Sequence, residues 1–107
     1  MEAIAERLEA SKVSVEFHTN KVMRLTKQLA KAHAATVAAA DTLKSIDLTN
    51  YEAMLTALHA LSKAVKAQLG ECVDFRTASH YLEGAKLDVG EWQNEIAKRA
   101  AAPAAAQ

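Results

Sequence analysis

The chain has little of what stabilises small secreted folds or marks an active site. Its 107 residues include one cysteine, one proline, three glycines and five aromatic side chains. A lone Cys72 has no intrachain disulfide partner, which excludes a disulfide-stapled scaffold. So few prolines and glycines exclude collagen-like and linker-like classes. Thirteen basic and thirteen acidic residues leave no net charge, so nothing global points to nucleic acid or to an anionic membrane. No uncharged run approaches the roughly 20 apolar residues of a membrane span. The opening Met1-Glu2-Ala3-Ile4 lacks the basic start and apolar core of a secretory signal. A cytoplasmic location is expected on those grounds, and a single reduced thiol agrees with it.

What is present favours helix. Alanine fills 24 positions, and Leu, Lys and Glu are frequent while β-branched residues are few. Residues 2–46 contain neither Gly nor Pro. Alternate steps of four and three from Ile4 reach Leu8, Ser11, Val15, His18, Val22, Leu25, Leu29, Ala32, Thr36, Ala39, Leu43 and Ile46, and ten of these 13 positions are Ile, Leu, Val or Ala. That is a heptad seam held for about six repeats. Asp47-Leu48-Thr49-Asn50 then reads as a turn. Thr49 with Glu52 forms a capping-box pattern for the next helix, and Asp47 with Asn50 is a weaker alternative.

A second seam runs through Tyr51, Met54, Leu58, Leu61, Val65, Gln68, Cys72, Phe75, Ser79, Leu82, Lys86, Val89, Gln93 and Ile96. Folding the chain back at the turn pairs residues whose numbers sum to 97. Leu25 then meets Cys72, His18 meets Ser79 and Ser11 meets Lys86, with small residues facing large ones. Gly70, Gly84 and Gly90 each cost a helix interior about 1 kcal/mol against Ala. Gly84 reads as a helix C-cap, and Asp88 with Glu91 as a new capping box, so a break is expected between Glu83 and Asp88. The expected architecture is all-α: a long antiparallel hairpin with helices at about 2–46, 51–83 and 88–100, forming a single helical domain over 1–99. A disordered Ala/Pro tail follows at 100–107.

Two helices bury only one stripe each, and many large apolar residues are left over. Val13, Phe17, Met23, Val37, Leu55, Leu69, Val73, Tyr81, Leu87 and Trp92 all fall outside the seam. Leu55 and Leu69 widen the apolar face of the second helix beyond what a two-helix seam uses. A hairpin of this size has little core per residue. Homodimerisation into a four-helix bundle is the expected resolution. Fold-back of the segment after Gly84, or a face kept for a partner protein, are the alternatives.

The pattern holds little chemistry. No histidine has an acidic residue three positions before it, and no two histidines are four apart, so the helical metal-ligand pairs are missing. No metal and no cofactor are expected. Cys72 at a seam position reads as a small buried hydrophobe, and His18 with Ser79 as a polar layer that fixes register. The glycines are isolated, so no phosphate-binding loop exists. Between Lys12 and Lys44 six basic residues face two acidic ones, and between Glu71 and Glu95 the balance reverses. The sum-97 register places Arg24 and Lys27 near Asp74 and Glu71, which favours the antiparallel hairpin.

These features point to a non-enzymatic, protein-binding helical module: a small scaffold, adaptor or regulatory inhibitor acting through helix faces. Phe17, Leu55, Leu69, Tyr81 and Trp92 are its candidate self-association or partner interface. Two alternatives remain. In composition, the amphipathic helices and Ala/Pro tail resemble phasins, which coat hydrophobic polymer granules, and that resemblance implies binding to an apolar surface. The stripe Lys21, Arg24, Lys27, Lys31 on the first helix offers weak nucleic-acid binding, without interleaved aromatics.

Overall fold

A computed structural model describes the backbone of residues 2–106 and the side chains of 3–101. The chain is all-helical: α1 spans Glu2–Lys44 and α2 spans Tyr51–Ala106. It divides into two compact units, Met1–Val22 with Thr77–Gln107, and Met23–Arg76. Within each unit a stretch of α1 packs antiparallel against a stretch of α2.

The connection explains why α1 stops and α2 starts. Ser45 and Ile46 donate back to the Thr42 and Leu43 carbonyls at 3.2 and 3.4 Å, tightening the last turn. Asp47 Oδ1 then accepts from the Thr49 amide at 2.9 Å and from the Thr49 hydroxyl at 2.8 Å, an Asx turn. These bonds stabilise the charged carboxylate and hold it below the ordinary carboxylate range, the amide bond contributing most. Asn50 Oδ1 accepts from the Ala53 amide at 3.1 Å, and the Asn50 carbonyl accepts from Met54. Asn50 is therefore the N-cap of α2. Neither expected pairing is the cap: Thr49 is engaged by Asp47 rather than paired with Glu52, and Asn50 caps α2 through Ala53 rather than partnering an Asp47 cap.

All 13 expected seam positions of α1 are buried or half-buried. Thr36 is accommodated there because its hydroxyl donates to the Ala32 carbonyl at 3.1 Å. The α2 seam differs from expectation by one position in every heptad. Met54, Leu61, Gln68, Phe75, Leu82, Val89 and Ile96 face inward as expected. Their seam partners are Ala57, Ala64, Glu71, Ala78, Ala85 and Trp92, rather than Leu58, Val65, Cys72, Lys86 and Gln93, while Ser79 is half-buried beside Ala78. Tyr51, Leu58, Val65, Cys72, Lys86 and Gln93 are exposed. The physical reason is distance. Alanine at four of the six partner positions lets two helix backbones approach closely, and a leucine there would hold them apart.

The register moves with the seam. In the unit formed by the chain ends, Arg7 lies over the Trp92 ring at 5.2 Å and His18 stacks on Tyr81 at 5.9 Å, and both pairs of residue numbers sum to 99. In the other unit Gln68 bonds His33, a sum of 101. The layers pair near a sum of 100, not 97, so Leu25 stands level with Phe75 rather than with Cys72. Nor does His18 pair with Ser79, its ring partner being Tyr81. The ion pairs Lys12–Glu9, Lys86–Glu83 and Arg99–Glu95 each lie within one helix. Glu71 Oε2 is buried without a hydrogen-bond partner, so the anticipated match of Glu71 with Lys27 is not made at that oxygen.

The break expected between Glu83 and Asp88 is absent, since α2 passes through Gly70, Gly84 and Gly90 as one helix. No described glycine has a positive φ, so none acts as a left-handed C-cap. The expectation of a disordered tail over 100–107 falls mostly outside the described side chains. The α2 backbone is helical to Ala106, and Gln107 lies outside the described residues.

Candidate functional site

The core is small. Only Ile4, Leu25, Ala57, Ala78 and Ala85 are buried apolar residues among those described. Against this, 13 large hydrophobic side chains are exposed. Scattered apolar residues on a surface are ordinary, but aligned ones are informative.

In the 23–76 unit they align. The positions one and four residues after Met54, Leu61 and Gln68 are Leu55 and Leu58, Ser62 and Val65, Leu69 and Cys72. With Tyr51 they form a second heptad stripe on α2, rotated about 100° from the packed seam. All of these residues are exposed, Leu58 at 46 % and Leu69 at 63 %. The same positions after Val22, Leu29 and Thr36 on α1 include Met23, Ala30, His33, Val37 and Ala40, two of them alanine. Equal rotation from the seam places both stripes on one side of an antiparallel pair. The His33–Gln68 contact at 3.0 Å lies on that side. Neither stripe holds a charged side chain between Met23 and Ala40 or between Tyr51 and Cys72.

The unit formed by the chain ends has a different surface. Phe17 meets His18 edge-on at 5.2 Å, His18 stacks on Tyr81, and His80 meets Tyr81 at 6.3 Å. Phe17 and Tyr81 are exposed. His18, His80, Tyr81, Gly84 and Asp88 line a shallow groove of about 310 Å³. The absence of a side chain at Gly84 keeps it open. His18 Nδ1 is buried and has no hydrogen-bond partner, which costs about 1–3 kcal/mol. A second groove of about 200 Å³ lies between Lys12, Val15, Lys86 and Val89.

The five candidate interface residues are thus dispersed. Leu55 and Leu69 share the α2 stripe. Phe17 and Tyr81 flank His18. Trp92 does not lie outside the seam, as the sequence reading had it: it is half-buried against Arg7. Leu58 and Val65 belong to the exposed stripe and were missed, having been assigned to the packed seam. The seven-residue repeat of alanine at 57, 64, 78 and 85 was the signal that would have released them.

Exposed Cys72 has no activating partner described beside it. Among the described residues no three His, Cys, Asp or Glu side chains converge as metal ligands, and no helix is long and apolar enough to cross a membrane. Comparisons with protein-family models, with curated proteins and with solved structures find no match.

Proposed function

We propose that this chain is a non-enzymatic, cytoplasmic protein-binding module that acts through its helix faces, with self-association into a four-helix bundle as part of that action. The observation that carries this reading is the uncharged, heptad-spaced stripe Tyr51, Leu55, Leu58, Val65, Leu69, Cys72 on α2. Its period is that of a helix–helix seam, and a second helix is the ligand that such a period fits. The small core supports the same reading, because a pair of helices this thinly packed gains much of its stability from whatever covers the remaining face.

The test is Leu55→Glu combined with Leu69→Glu, followed by light scattering and circular dichroism. Assembly should be lost with helicity largely retained. Assembly that survives the double change would show that the stripe is not the interface. Flotation with oil droplets or vesicles separates the phasin-like alternative, in which the wild-type chain would float with the apolar phase. The basic stripe Lys21, Arg24, Lys27, Lys31 would declare nucleic-acid binding through an affinity that falls steeply with salt.

A further inference from the structure

We infer that the occupant of the exposed face of the 23–76 unit is a second copy of this chain, related by a two-fold axis parallel to the helices, so that α1 of each copy lies on α2 of the other. This rests on the binding-module reading and specifies its partner and geometry.

Three observations carry it. First, the face is self-complementary in size. On α1 it carries Ala30 and Ala40 beside Met23, His33 and Val37, and on α2 the larger Tyr51, Leu55, Leu58 and Leu69. A two-fold axis along the helices lays each small surface on the partner's large one, which is how packed layers interdigitate. A two-fold axis across the helices would instead set large on large and small on small. Second, the polar groups at the rim match in that arrangement. With layers paired near a sum of 100, Asp41 of one copy stands level with His59 of the other. Lys44 stands about one turn from Glu52 of the other copy. All four side chains are exposed. Third, the area is sufficient. The stripe from Tyr51 to Cys72 is about 32 Å long at about 1.5 Å per residue, and two helices are roughly 20 Å wide. That gives roughly 600 Å² per copy, and about 1,200 Å² buried in all, the size of a specific interface.

Native Cys72 lies on the stripe and is exposed, so it can report the geometry directly. A nitroxide label is attached to Cys72 of the full chain, and the label–label distance is measured by pulsed dipolar spectroscopy at concentrations where light scattering gives the mass. The proposed arrangement puts the two labels at one level on diagonal helices, roughly 15–25 Å apart. The two-fold across the helices, centred near Ser62, separates them by about 30 Å or more, from about 1.5 Å per residue. A two-chain mass with the short distance is the expected result. The label itself sits on the face, so Ser62→Cys in a Cys72→Ser background provides a second pair. For that pair the two geometries predict similar short distances, which checks that the labelled chain still assembles. A monomeric mass for unlabelled protein overturns the inference, and so does a Cys72 distance beyond about 30 Å. The two readings fail separately. Assembly that survives Leu55→Glu with Leu69→Glu removes the stripe as interface altogether, while a long Cys72 distance in a dimer removes only this geometry.

Discussion

The alanine seam of α2 makes a sharp claim about position 78. Ala78 is 2 % exposed, the least of the buried residues, and it faces α1 where the two backbones run close. Replacing it with leucine adds three carbon atoms to a site with no room for them. Helices packed at about 8–10 Å must then separate, or the new side chain must leave its preferred rotamer. Overpacking of this kind costs about 1–3 kcal/mol. For a chain of this length each kcal/mol moves the midpoint of thermal unfolding by roughly 4–8 °C, so Ala78→Leu should unfold about 4–24 °C earlier than wild type. Thr77→Leu is the control. Thr77 is exposed on the same turn, and its replacement should change stability by no more than about 0.5 kcal/mol. The assay is thermal circular dichroism at 222 nm at one fixed protein concentration, since assembly raises the apparent midpoint. If Ala78→Leu matches or exceeds wild type while Thr77→Leu is neutral, the close-packed seam is wrong and a larger-residue seam takes its place.

Other consequences follow from the same structure. Gly84→Ala should stabilise the protein by about 0.5–1 kcal/mol, because the position is helical with negative φ and an added Cβ meets nothing within 4 Å; denaturant titration that shows a loss would restore the break once expected there. Asn50→Ala should cost about 1 kcal/mol by removing the cap on the Ala53 amide, and Glu52→Ala should cost clearly less, an order that the same titration reads. Asp47 has a folded-state pKa below its unfolded value of 3.8. Its contribution is therefore complete above about pH 4 and fades as pH falls through the lower folded value. Acid unfolding of Asp47→Asn should lack that part of the wild-type dependence, and an unchanged acid limb would show that the Thr49 contacts do not form in solution.

Much of this architecture is legible in the residues. The α1 seam can be read correctly at every position because its heptad holds Leu, Val and Ile with few rivals one residue away. On α2 the rivals are adjacent. At 57 and 58, and at 64 and 65, an alanine precedes a larger apolar residue, and hydrophobicity alone selects the larger one. Close packing selects the smaller. Those two choices set the phase of the heptad, which then carries the expected seam on through Cys72, Ser79, Lys86 and Gln93, moves the register by about three residues, and turns Leu58, Val65 and Cys72 from core into surface. Trp92 moves the opposite way, from presumed surface into the seam beside Arg7. Gly84 misleads for a related reason. Glycine marks a helix end only where the backbone takes a left-handed turn, and here a continuous helical ladder carries the chain through. At the turn both candidate pairings are visible in the residues. Only the geometry shows that Asp47 engages Thr49 and leaves Asn50 to cap α2.

Absolute molar mass by light scattering after size exclusion, taken across a wide dilution series, bears most directly on the exposed stripe as an interface. The account predicts about twice 11.5 kDa at high concentration, falling toward a single chain on dilution, with Leu55→Glu and Leu69→Glu together shifting the transition to much higher concentration. A single-chain mass at every concentration would contradict it.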